Sequence, residues 1–185
     1  MASERKEKQG RQRRAPRKIT PGYLERAALH HLERFASSSE NLRRVLERRV
    51  LRSARHHGTD PAEATPWIDA LIERFRAWAL LDDEAYAAGR AAALFRRGDS
   101  QRAIRAKLMA KGVAPDDIEQ ALDALRDEID ATRWDDDPDG RDADPDRRAA
   151  ENYVRRRRIG PHRPPEAREA NRERDLAALA RAGFG

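Results

Sequence analysis

A nine-residue pattern recurs 62 positions along this chain: Ser38-Ser39-Glu40-Asn41-Leu42-Arg43-Arg44-Val45-Leu46 lies over Ser100-Gln101-Arg102-Ala103-Ile104-Arg105-Ala106-Lys107-Leu108. Both copies begin on a serine and carry aliphatic residues at the fifth and ninth places. A serine so placed caps a helix by accepting one of its unpaired first-turn N–H groups, and residues four apart share one helical face. The chain is therefore expected to repeat a helix, and with it the small unit in which that helix is buried.

The flanking sequence supplies the rest of the unit. Leu24, Ala28, Leu32 and Phe35 form one stripe, Leu42, Val45, Leu46 and Val50 a second, and Ile68, Leu71, Ile72, Phe75 and Trp78 a third. Breaks at Ser37-Ser38-Ser39, at His57-Gly58-Thr59-Asp60-Pro61 and at Leu81-Asp82-Asp83 part them into three helices. The pattern then restarts with Tyr86, Ala87, Ala91 and Leu94, continues through Ile104 and Leu108 to a stop at Gly112, and reopens at Pro115 with Ile118, Leu122, Leu125 and Ile129. A third copy follows: Ala150, Tyr153 and Val154 make one stripe and Leu176 and Leu179 the next, while Leu108 to Val113 lies over Leu179 to Phe184. The third helix of that copy is expected to be absent.

The fold class predicted is all-α: tandem three-helix repeats stacked into an elongated, curved solenoid, preceded by a disordered basic arm. The boundaries are residues 1–20 for the arm, 21–81 and 82–133 for two complete repeats, 134–146 for an acidic linker and 147–185 for the incomplete repeat. With 38% hydrophobic residues, 5% aromatics and a mean hydropathy of -0.99, one broad core is out of reach, whereas narrow stripes on short helices can still be buried against each other.

Charge is placed unevenly. Residues 1–20 carry a net +6, residues 21–126 a net +2, residues 127–146 a net -8 and residues 147–185 a net +6. A basic arm, a nearly neutral body, an acidic joint and a basic end point to a polyanionic partner, with a merely solubilising tail as the alternative for the arm. The absence of cysteine excludes disulfides, thiolate nucleophiles and Cys-ligated metal centres. No apolar run approaches the roughly 18 residues of a membrane span, and the charged start is unlike a secretory signal, so a soluble, cytoplasmic protein without membrane contact is expected.

Enzyme chemistry finds no footing. The chain lacks Gly-x-x-x-x-Gly-Lys-Ser/Thr, Gly-x-Gly-x-x-Gly, Gly-x-Ser-x-Gly and His-Glu-x-x-His, so no catalytic residue, cofactor or metal is assigned. His30-His31 and His56-His57 are adjacent on helices, where neighbours point about 100° apart and share a metal poorly. Asp135-Asp136-Asp137-Pro138-Asp139-Gly140 with Asp146 has the spacing of a calcium loop. Aspartate rather than glutamate at the twelfth place, the stiff Pro138 and Asp142 in place of an apolar residue favour an acidic linker.

The sharper signal is basic. If Leu42, Val45 and Leu46 face inward, Arg43, Arg44 and Arg48 are free to face out; Arg102, Arg105, Lys107 and Lys111 do the same around Ile104 and Leu108, and Arg155, Arg156, Arg157 and Arg158 form a third cluster. Such charges can follow a phosphate backbone or an acidic protein groove, or serve only as a solvated face.

The segment Leu80-Leu81-Asp82-Asp83-Glu84-Ala85-Tyr86-Ala87, then Arg96-Arg97-Gly98, then Arg102 through Lys111-Gly112-Val113, resembles the RecX family. Similarity runs from about Tyr23 to Phe184 and is best between Trp67 and Leu125. The resemblance implies a regulator rather than an enzyme, built of tandem three-helix repeats. It further implies binding to the RecA recombinase in the groove of its filament on single-stranded DNA, with suppression of strand exchange, ATP hydrolysis and coprotease action; a monomer with weak direct DNA binding is expected besides. The longer His56 to Pro66 connection, the acidic joint and the missing last helix depart from the family pattern. The competing class is a free-standing helical nucleic-acid-binding protein that uses the basic arm and Arg155 to Arg158; a calcium-responsive adaptor comes third.

Overall fold

The computed structural model describes residues 15–131 and 144–184. Among them every regular element is helical: α1 Pro21–Leu32, α2 Ser39–His57, α3 Thr65–Ala77, α4 Asp83–Arg96, α5 Gln101–Ala110, α6 Pro115–Ala131, α7 Pro145–Arg157 and α8 Pro165–Ala182, with 3-10 turns at Pro61–Ala64 and Gly160–His162. The starts are fixed by side chains that take up first-turn N–H groups. Ser38 Oγ accepts from Asn41 and Ser100 Oγ from Ala103, both at 3.2 Å, so the two serines of the repeated pattern are caps; Thr20, Asp82 and Asp144 cap α1, α4 and α7 in the same way.

Burial follows the repeat. Leu42 and Leu46 of α2 and Ile104 and Leu108 of α5 are fully buried, each adding roughly 1.5–3 kcal/mol relative to exposure. They belong to two separate cores. One joins α1, α2 and α3 around Leu24, Ile72 and Phe75; the other joins α4, α5 and α6 around Leu94, Ile118 and Leu122. The long connection after α2 also contributes, since Ala64 on its 3-10 turn is buried in the first core. The third unit lends Ala149 and Phe184 to the second core.

Several expectations need correction. Phe35 and Trp78, assigned to buried stripes, are 56% and 59% exposed, because α1 ends at Leu32 and α3 at Ala77, which swings both residues off the apolar face. Leu176 is likewise exposed: the place equivalent to Ile104 in α8 falls on Asp175, which is buried against Arg163. Helix α7 starts at Pro145, where Asp144 caps it and proline sits in its first turn. Of the basic arm, residues 1–14 lie outside the described residues. Residues 15–20 run along α2, where Ser53 Oγ donates to the Arg17 carbonyl at 2.9 Å and Ile19 packs on the first core. The calcium-like segment lies outside the described residues up to 143.

The same joint links successive units twice. Ser38 Oγ donates to the Lys111 carbonyl at the end of α5, and Ser100 Oγ donates to the Ala182 carbonyl at the end of α8. The backbone N–H of Ser39 donates to Asp83 Oδ1, and that of Gln101 to Asp146 Oδ1, each at 2.7 Å. Gly112 and Gly183 follow the helix ends at φ +74° and +97°, and a Cβ on them would overlap Glu40 and Ser100 respectively. Each second helix thus presents its N-terminus to the C-terminal end of the next unit's second helix, so the macrodipoles of α2, α5 and α8 follow one another head to tail. Unit two sits between units one and three, in a row.

Candidate functional site

The first joint opens into a groove of about 560 Å³. The end of α1 contributes His31, Arg34 and Phe35, α2 contributes Arg48, α4 contributes Tyr86 and Arg90, and Lys111 enters from the end of α5. No carboxylate lines it, and among the described residues no acid forms an ion pair with Arg34, Arg48, Arg90 or Lys111. Loss of solvent, and then the charges of Arg49, Arg48 and Lys111, hold the His31 pKa below its ordinary value, so its ring is neutral at pH 7. Burial raises the Tyr86 pKa against the opposing effect of Arg90, which keeps its hydroxyl a donor. Four cations outside any ion pair thus line a groove with no carboxylate, which makes its potential positive.

At the second joint a groove of about 550 Å³ is lined by Tyr153, Arg157, Arg174 and Arg181, and also by Asp99 and Asp175. Lys107 pairs with Asp99 at 2.6 Å. Arg163 grips Asp175 with two bonds of 2.7 Å. That grip, reinforced by the Gly160 N–H, lowers the Asp175 pKa to about 2. Tyr153 stands where the first joint has Arg90 and Ala182 where it has Lys111, so the second groove lacks the first one's two central cations.

A comparison with known proteins sets these grooves in context. Residues 82–122 match the family model described as RecX, second three-helix domain. A protein named Regulatory protein RecX from Myxococcus xanthus is 43% identical over 171 residues, covering 91% of this chain and 83% of that protein. The chain belongs to the RecX family. A second Regulatory protein RecX, from Agrobacterium fabrum, is 28% identical over 160 residues, 85% of this chain and 74% of its own length. No solved structure matches.

The RecX second-domain match starts at Asp82, the cap of α4, and runs through α5 into α6, so it covers the helices that carry Arg90, Arg105 and Lys111. The cations singled out from sequence divide into two groups there. Arg43 pairs with Asp69 and Glu40; Arg44 reaches Glu40 at 2.9 Å and the Ala110 carbonyl at 3.0 Å; Arg105 holds Glu119 through bonds of 2.7 and 2.8 Å; Lys107 holds Asp99. Arg43 and Arg105 tie helices within a unit, Arg44 ties two units, and Lys107 ties α5 to the connection before it. Arg48, Arg102, Lys111, Arg156 and Arg158 are exposed and outside any ion pair among the described residues, while Arg155 bonds Asn152 and Arg157 lies over the Tyr153 ring at 5.5 Å. The structure brings Arg48 and Lys111 together in the first groove and keeps the α7 cluster apart from them. Arg34, Phe35, Tyr86 and Arg90 were missed from sequence. The available signal was the serine run after Ala36, which puts Arg34 and Phe35 beyond the end of the helix and frees them from its apolar face.

Proposed function

We propose that this RecX-family chain binds the RecA recombinase filament on single-stranded DNA and restrains its strand exchange, ATP hydrolysis and coprotease action, thereby modulating DNA repair and the SOS response. It acts as a regulator, in the cytoplasm, rather than as an enzyme. Support comes above all from the 43% identity over 91% of the chain to a protein named as a RecX regulator. A row of units with unpaired cations at each joint suits this role, because an elongated polyanionic assembly can be followed along several units at once. Bound in that way, the chain bridges neighbouring RecA subunits and obstructs entry of a second DNA.

The test is the rate of RecA ATP hydrolysis on single-stranded DNA with increasing amounts of this protein. Inhibition at amounts well below the RecA concentration is expected, and it weakens as salt rises. Charge reversal at Arg48, Arg102 and Lys111, all exposed and outside ion pairs, lowers the inhibition without unfolding the chain. Inhibition only at amounts that cover all the DNA favours the free-standing nucleic-acid-binding protein instead.

A further inference from the structure

We infer that the groove at the first joint is a nucleotide site, in which Arg34, Arg48, Arg90 and Lys111 hold phosphate oxygens and a base lies against Phe35. The charge arrangement favours an anion: the four cations share one groove with no carboxylate in its lining. Unpaired like charges held together repel, and a phosphate relieves that repulsion where a chloride atmosphere does so only weakly. The aromatic narrows the choice of anion. Phe35 is 56% exposed, with the Arg34 guanidinium 5.8 Å from its centroid and the His31 ring 5.4 Å away. A phenyl ring beside a cationic track is the arrangement on which nucleic-acid bases stack, whereas an acidic peptide would use the cations and leave the ring idle.

Neutral polar groups also line the groove. Tyr86 contributes a hydroxyl, and the His31 Nε2 is shielded from solvent without a hydrogen-bond partner. The volume of about 560 Å³ falls within the roughly 300–1,000 Å³ typical of small-molecule sites. The two possible sources of this chemistry are a free nucleoside triphosphate and one nucleotide of a single strand. The site needs no RecA, so it stands or falls apart from the filament reading.

The experiment uses the full chain without RecA and follows fluorescence anisotropy at low salt. The probes are a labelled oligonucleotide of about 12 thymidines and a fluorescent ATP analogue. Saturable binding of at least one probe is expected. It should weaken roughly tenfold in Phe35→Ala and in the double variant Arg34→Gln/Arg90→Gln. The double variant Arg52→Gln/Arg55→Gln, which removes the same charge from exposed positions of α2 outside the groove, should bind as the parent does. Tighter binding of the strand identifies a strand as the occupant, and tighter binding of the ATP analogue a free nucleotide; both support the site. Equal losses in the two double variants, or no effect of Phe35→Ala, overturn it. So does displacement by polyglutamate as effective as by unlabelled oligonucleotide, which gives the groove to an acidic polypeptide. Retained RecA inhibition in a Phe35→Ala protein that no longer binds either probe separates this site from the filament reading.

Discussion

Replacing Ser38 by alanine deletes a fully buried hydroxyl that accepts from the Asn41 N–H and donates to the Lys111 carbonyl. The first bond caps α2, and its loss costs about 1 kcal/mol. The second crosses the joint; the carbonyl left facing a methyl group costs about 1 kcal/mol more, the low end for a lost partner because Lys111 is itself exposed. A total near 2 kcal/mol lowers the melting midpoint by about 4–8 °C in a chain of this length. The second share is a coupling between units, and a double-mutant cycle isolates it. Asp83 accepts from the neighbouring Ser39 N–H across the same joint, so Ser38→Ala and Asp83→Asn should depart from additivity by at least about 0.5 kcal/mol. Urea unfolding followed by circular dichroism measures both quantities. A loss under about 0.5 kcal/mol for Ser38→Ala, together with additive effects in the cycle, would refute the account of the joint.

Two further outcomes follow from the ion pairs. Asp175 is lowered from 3.8 to about 2 by Arg163 and the Gly160 N–H, so its pairing stabilises the third unit fully above about pH 4 and is lost as pH falls through about 2. Amide exchange of Gly160 should quicken across that window in the parent but show no such step in Asp175→Asn; a midpoint at the ordinary carboxylate pKa sinks this assignment. Arg105→Gln removes the two bonds to Glu119 on the solvent side of α5 and α6, and should cost less stability than Ser38→Ala while leaving RecA inhibition unchanged. Thermal melts and the ATPase assay check both halves, and lost inhibition would return Arg105 to the binding surface.

The helices and the repeat were legible because they depend on local rules. Ser38 and Ser100 announce caps, and Leu42, Leu46, Ile104 and Leu108 announce the buried face whatever the tertiary setting. The groove was not legible, because its walls come from four helices whose approach is set by contacts between units. Arg48 and Lys111 were readable as outward-facing, but nothing local distinguishes them from Arg105 or Lys107. Only the distance to Glu119 or Asp99 shows that those two charges are already spent on internal acids. Phe35 and Trp78 were misassigned for a related reason: helical spacing was carried past the point where the helix stops. Asp175 was passed over since a charged residue at a core place is read as the end of a stripe, whereas here it is satisfied by Arg163 and Gly160.

The separation of the first two cores changes what the joint must do. Each of those units encloses its own apolar cluster, so hydrophobic burial does not dictate the angle between them. That angle is left to directional contacts: the serine-to-carbonyl bond, the aspartate on a first-turn amide, and a glycine that only a bare backbone can fill. Directional bonds define orientation more sharply than apolar area, which is non-directional. The first joint carries two additional links, Arg44 to the Ala110 carbonyl and Arg76 to both Ser39 and Asp83. Its groove also gathers four cations outside ion pairs among the described residues, with no carboxylate in the lining. Holding like charges side by side works against the joint, so the extra links are where that repulsion is resisted.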